Sequence, residues 1–192
     1  LTGTSGANVI DAGDGADTVY GLAGADIISG EAGADVLDGG DDDDTIYGGD
    51  GDDTLIGGNG VDTLYGGDGD DSFDGGLGDD TFDGGAGRDS ISFAGSSVGV
   101  DIALNDSGSF IAVSFDGQTD YIKDLEVIEG TAQDDTLTGN SDDNEFIGGA
   151  GNDTLIGGTG SDTLDGGAGL EDKVSYIDVL GSGLVIDLGS VD

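Results

Sequence analysis

The chain has 192 residues and a formal net charge of −40, from 43 Asp and Glu against three Lys and Arg, with no His. Such a surface repels nucleic acid and anionic membranes, which are bound through basic patches, and no segment approaches the roughly 18–20 apolar residues of a membrane-spanning helix. Low hydrophobicity with high net charge also marks a chain that does not fold unaided.

Only Glu31, Glu126, Glu129, Glu145 and Glu171 are glutamate, so the acidic residues are mostly Asp. That bias points to a short carboxylate needed at defined places. Gly accounts for 43 residues, about three times the average share of about 7%, and Pro is absent where about 5% is usual. Proline lacks a backbone donor and would break a repeated ladder. With neither His nor Cys, no Ser-His or Cys-His nucleophile and no disulfide can form.

From the N-terminus, residues 3–92 divide into ten nine-residue units on the template Gly-Gly-x-Gly-x-Asp-x-U-x, with U apolar. Gly48-Gly49-Asp50-Gly51-Asp52-Asp53-Thr54-Leu55-Ile56 is a clear copy. The sixth positions are Asn8, Asp17, Asp26, Asp35, Asp44, Asp53, Asp62, Asp71, Asp80 and Asp89. The eighth are Ile10, Val19, Ile28, Leu37, Ile46, Leu55, Leu64, Phe73, Phe82 and Ile91, all apolar in a chain only 34% hydrophobic. Each triplet after the Asp suits a short strand, and the glycines suit a tight turn at positive φ.

Residues 93–129 break the period and read as a β insert that caps the repeat block. Val98, Val100, Ile102 and Leu104 alternate, as do Ile111, Val113 and Phe115, and both stretches predict strands. Asp116-Gly117 predicts a turn. A second block follows at 130–175, with sixth positions Asp135, Asn144, Asp153 and Asp162. Its last unit holds one extra residue before Asp172, which puts Asp172 out of register. Residues 176–192 begin a second insert: Gly183-Leu184-Val185-Ile186-Asp187-Leu188 matches Gly99-Val100-Asp101-Ile102-Ala103-Leu104. A longer repeat of roughly 80 residues thus overlies the nonads, and the chain reads as a piece of a tandem array.

A repeated turn and strand makes a solenoid. Two nonads make one coil, so Asp residues eighteen apart, such as Asp35 and Asp53, stack about 4.8 Å apart, the spacing of neighbouring strands. Two carboxylates that close repel by about 1 kcal/mol in water and about 3–4 kcal/mol at an effective dielectric of 20. A cation between the loops would relieve this at every level. Calcium fits, since it takes six to eight oxygen ligands in flexible geometry; magnesium demands a stricter octahedron, and zinc lacks its usual His and Cys. Tyr47 and Tyr65, eighteen apart at ninth positions, should stack on one outer face. The third positions form no Thr array of the kind an ice-binding solenoid uses.

At these nonads the chain resembles the RTX (repeats-in-toxin) family of calcium-binding proteins. The resemblance implies an all-β fold, a right-handed parallel β-roll, with several Ca2+ ions per block held between loops two nonads apart. It implies side-chain ligands at Asp17, Asp26, Asp35, Asp44, Asp53, Asp62, Asp71, Asp80, Asp89, Asp135, Asp153 and Asp162, with uncharged Asn8 and Asn144 as weaker ones. Loop carbonyls complete the shell, at Gly49, Gly51, Gly58, Gly60, Gly67, Gly69, Gly149 and Gly151. Thr4, Ala12, Leu22, Glu31, Asp42, Thr131 and Asn140 depart from the template glycines.

The resemblance also implies bacterial type I secretion, with folding on extracellular calcium. The expected role is a non-enzymatic calcium-binding module of a secreted or cell-surface protein. Its partners would be calcium, neighbouring domains of a longer chain, and a cell surface or further copies of itself. The alternatives are an adhesive or surface-layer segment of a tandem-cassette protein, or an accessory module beside an extracellular epimerase, protease or lipase.

Overall fold

A computed structural model describes residues 1–175 and the strand Val185–Asp187. The second insert expected at 176–192 therefore lies, apart from that strand, outside the described residues. Among the described residues every regular element is a strand. In chain order these are β1 (Val9–Asp11), β2 (Thr18–Ala23), β3 (Ile27–Ala32), β4 (Val36–Asp41), β5 (Thr45–Asp50), β6 (Thr54–Asn59) and β7 (Thr63–Asp68). Then come β8 (Ser72–Leu77), β9 (Thr81–Ala86), β10 (Ser90–Ser92), β11 (Asp101–Ala103), β12 (Ile111–Phe115), β13 (Gln118–Lys123) and β14 (Val127–Glu129). The last are β15 (Thr136–Thr138), β16 (Glu145–Ile147), β17 (Thr154–Ile156), β18 (Thr163–Asp165), β19 (Lys173–Ser175) and β20 (Val185–Asp187).

The strands stack in parallel as a β-solenoid, in two units. The first comprises Leu1–Ile91 with Gln118–Leu125. Odd strands β1 to β9 form one ladder, and even strands β2 to β8, with Ser90 and Ile91 of β10, form the other. Leu55 lies opposite Phe73 and Ile46 opposite Leu64, a step of eighteen residues, so one coil is two nonads. Alternation along a strand turns the eighth positions inward, and Val19, Ile28, Leu37, Ile46, Leu55, Leu64 and Phe82 are fully buried. Phe73 of one ladder meets Phe82 of the other edge-on, with ring centroids 5.8 Å apart, so both ladders share one core. Outside, Tyr47 and Tyr65 stack at 5.0 Å with planes 5° apart, as their spacing predicts.

The strands of this block are longer than the predicted triplet. From β2 to β9 they run six residues, through positions one to three of the next nonad, and the turn shrinks to positions four to six. The glycines stay in the ladder, with Gly40 opposite Gly58 and Gly49 opposite Gly67, while holding φ of 113° to 121°. Only glycine adopts that backbone without cost. Leu22 (φ 88°), Glu31 (φ 75°) and Asp42 (φ 77°) stand at template-glycine positions and carry strain of about 1–2 kcal/mol each.

The second unit comprises Ser92–Gly117 with Glu126–Asp192. Its ladders are β14-β16-β18-β20 and β11-β15-β17-β19, all parallel. Ile102, Ile128, Leu137, Phe146 and Leu155 fill its core. Of the alternating stretch from Val98 to Leu104, Asp101–Ala103 form the strand, and Val100 and Leu104 bond to Thr136 and Thr138 at its two ends; Val98 is exposed and Val100 is buried. The predicted strand at Ile111–Phe115 is present. Asp116 and Gly117 form the predicted turn, with φ of 47° and 88°. Phe93 and Phe115 pack edge-on at 5.2 Å.

Two stability changes follow from this packing, both readable by denaturant titration in saturating calcium. Leu55→Ala opens a gap in a single-file core and should cost about 2–5 kcal/mol. Leu22→Gly relieves positive φ at an exposed site and should stabilise by about 1 kcal/mol.

Candidate metal centre

The turns at positions four to six fall on two edges of the first unit. Asn8, Asp26, Asp44, Asp62 and Asp80 line one edge; Asp17, Asp35, Asp53, Asp71 and Asp89 line the other. Each Asp from 26 to 89 uses Oδ1 to accept the backbone N–H of the sixth residue one coil earlier, at 2.6–2.9 Å. The Asp carbonyl accepts from the next coil, as Thr54 N–H donates to Asp35 O at 2.8 Å. The short side chain is what lets both bonds form from one residue, which explains the scarcity of Glu.

The second carboxylate oxygen is the anomaly. Oδ2 of Asp26, Asp35, Asp44, Asp53, Asp62, Asp71, Asp80 and Asp153 is buried with no hydrogen-bond donor. It lies over the first glycine of its own nonad, beside a carbonyl of the following coil. A Cβ on Gly57 would stand 2.5 Å from Asp62 Oδ2 and 2.7 Å from the Gly75 carbonyl oxygen. The same pair of acceptors crowds Gly21, Gly30, Gly39, Gly48 and Gly66. So a carboxylate oxygen without a hydrogen-bond donor and a carbonyl oxygen converge at level after level.

The predicted carbonyl set points along the same stack. The oxygens of Gly49, Gly58 and Gly67 face Gly67, Gly76 and Gly85 of the next coil; those of Gly51, Gly60 and Gly69 face Gly69, Gly78 and Gly87. Gly149 and Gly151 face Gly167 and Gly169 in the second unit. Among the described residues no three acidic side chains gather into a metal-holding cluster. The carboxylates run in rows, and carbonyls supply the other oxygens. Hard, mostly neutral oxygen donors with one or two carboxylates per level suit Ca2+. Asp26, Asp35, Asp44, Asp53, Asp62, Asp71, Asp80 and Asp153 fit such an ion best, because their Oδ2 atoms lack any other partner.

Other predicted ligands differ. Asp135 accepts from Thr131 N–H at 2.7 Å and from the Thr131 hydroxyl at 3.0 and 3.1 Å, so this departure from glycine supplies donors of its own. Asn8 donates Nδ2–H to Asp26 Oδ1 at 2.8 Å and accepts from Thr4 N–H at 3.1 Å. Asn144 accepts from Asn140 N–H at 3.1 Å. Asp17 is half-buried, and Ala12 stands at the first position of its nonad in place of glycine. Asp162 is buried and accepts from Asn144 N–H at 3.1 Å.

Two residues missed in the sequence join the rows. Asp172 accepts from Asp153 N–H at 3.0 Å, so it is in register after all. The extra residue is absorbed in the turn, where Leu170 is 85% exposed. Asp120 accepts from Asp80 N–H at 3.1 Å and is buried. The legible signal was Asp120-Tyr121-Ile122, which keeps the Asp-x-U core of the template without its glycines.

Burial dominates the electrostatics. It pushes the carboxyls of Asp44, Asp71, Asp120 and Asp153 up to about 6 and that of Asp80 to about 7. The backbone N–H on Oδ1 opposes the rise, and neighbouring carboxylates add to it. Asp53, Asp62 and Asp162 are raised for the same first reason.

The model of the RTX calcium-binding nonapeptide repeat (4 copies) matches at residues 2–37, 20–55, 29–64, 56–91, 126–155 and 147–169, well over half of the chain. The chain belongs to the RTX calcium-binding nonapeptide repeat family. No curated protein matches it. The RTX matches cover both rows of unpartnered Asp oxygens and leave residues 92–125 between them.

These raised carboxyls set a pH dependence. A carboxyl whose pKa is higher folded than unfolded binds its proton more tightly in the fold. Without calcium, the RTX fold is therefore favoured below the unfolded value near 4, and this advantage is lost as pH rises through about 6 to 7. Circular dichroism in calcium-free buffer should show more β structure at about pH 4.5 than at about pH 7.5. A stronger β signal at the higher pH would contradict the assignment.

Proposed function

We propose that the chain is a calcium-operated folding module of a secreted or cell-surface bacterial protein, disordered where calcium is scarce and folded outside the cell. The unpartnered buried Oδ2 atoms carry this reading. A buried, unpaired carboxylate costs several kcal/mol, and this chain stacks them in rows. Calcium, when bound, supplies the missing positive charge between coils. The chain's own residues do the rest: Asp carboxylates and turn carbonyls present oxygens, and the first-position glycines leave the space. Type I export suits a chain that stays unfolded until it meets calcium.

The role is structural rather than catalytic. The buried carboxylates are tied into the backbone ladder through Oδ1, and each lies beneath its own turn, closed to a substrate. A place in a tandem surface array is the second reading. It is favoured by one observation: the strands Asp101–Ala103 and Val185–Asp187 occupy matching places in the longer repeat. Both readings share the calcium switch.

Far-ultraviolet circular dichroism at neutral pH tests the proposal. Calcium at millimolar concentration should produce a β spectrum, and excess chelator should abolish it reversibly, because binding energy here is folding energy. A β spectrum indifferent to chelation would sink it. Light scattering across the same titration separates a module that stays monomeric from one that assembles.

A further inference from the structure

We propose that Asp120, from the non-repeat segment, completes a further calcium site with Asp80 at the end of the first unit. The proposal rests on the calcium reading above. Asp80 Oδ2 is fully buried and has no donor. It sits over Gly75, as the Oδ2 atoms of earlier coils sit over their own first glycines, with the Phe82 ring edge rather than a next-coil glycine carbonyl as the other near neighbour. In the nonads the next coil begins eighteen residues on. Here it is supplied forty residues on, by β13.

The register is kept at successive rungs. Tyr121, Ile122 and Lys123 pair with Thr81, Phe82 and Asp83. Asp80 N–H donates to Asp120 Oδ1 at 3.1 Å, and Tyr121 N–H donates to Asp80 O at 2.7 Å, the same two bonds that join each pair of nonads. Thr119 N–H donates to Asp79 Oδ1 at 2.7 Å, as Asp70 N–H does to Asp52 Oδ1 at 3.0 Å. Lys123 bridges to Asp83 at 2.9 Å on the outer face. Further along, the Asp124 carbonyl oxygen and Asp89 Oδ2 crowd Gly84 together, the arrangement a following nonad would have made.

Asp120 is thus a sixth-position ligand without a nonad around it, and it falls in the stretch 92–125 that the repeat matches leave out. An ion shared by Asp80 and Asp120 joins positions forty residues apart and holds the returning strand against the roll. The insert residues 118–125 would then dock when calcium arrives.

The test uses the whole 192-residue chain. Bound calcium is counted by equilibrium dialysis with elemental analysis for the parent, Asp120→Asn and Asp68→Asn. The Asn side chain keeps an oxygen for Asp80 N–H while losing the charge. Asp120→Asn should hold about one ion fewer than the parent, and Asp68→Asn, exposed in the third position, should hold the parent's number. Amide exchange of the parent with and without calcium is the second arm, and it decides the matter if Asp120→Asn does not fold: residues 118–123 should gain protection with calcium. A parent that takes up no calcium overturns this and the folding-module reading together. A parent that takes it up, with an unchanged count in a folded Asp120→Asn, or with 118–123 indifferent to calcium, overturns this inference alone.

Discussion

From Asp26 to Asp80, coil after coil of the first unit carries a carboxylate that the ladder itself ties down through one oxygen and leaves without a donor at the other. Oδ1 and the backbone carbonyl of Asp35, Asp53 and their equivalents bind the coils on either side, so the residue cannot be removed without opening the stack. Oδ2 is then delivered into a buried space already occupied by a carbonyl oxygen. Backbone pairing and electrostatics therefore pull in opposite directions at the same residue. Neither a thicker core nor more hydrogen bonds resolves this, because the strand spacing that makes the ladder also sets the spacing of the charges.

The rest of the template follows from that conflict. The first glycine is needed because a Cβ would occupy the space where the two oxygens meet. The second is needed because the strand must hold positive φ while staying paired. The eighth position must be apolar because it is the one large side chain per nonad turned inward, and the core is one side chain deep from each ladder. Two departures bring local donors of their own, whereas Leu22, Glu31 and Asp42 carry the strain of positive φ. Thr131 brings an N–H and a hydroxyl to Asp135, and Asn8 brings its own amide to Asp26. These lie at the starts of the two blocks, where one neighbouring nonad is missing and the charge to be offset is smaller.

Much of this was legible in the sequence. The period of nine, the eighteen-residue step, the buried eighth positions and the stacked Tyr47 and Tyr65 are all consequences of spacing, and spacing survives folding. Strand length was not legible in the same way: Gly-Gly-x reads locally as a turn, yet in the first unit it is ladder, because pairing with the coils on both sides overrides glycine's weak strand preference. Asp172 looked out of register because a count along the chain assumes that every residue advances the coil, whereas Leu170 is simply pushed outward. Val98 looked like a strand residue by alternation, yet it lies before the strand Asp101–Ala103 and is exposed.

The sequence by itself determined the solenoid, its coil length, the rows of carboxylates and the kind of ion they suit. These are properties of a repeat, in which each unit meets a copy of itself and local pattern becomes contact. Tertiary structure alone decided which carboxylate oxygens are left without donors, which positions bring donors of their own, and that Asp120 stands next to Asp80. Those depend on where a chain returns after an excursion and on which atoms face one another across a coil, and neither is written in the spacing of residues along the chain.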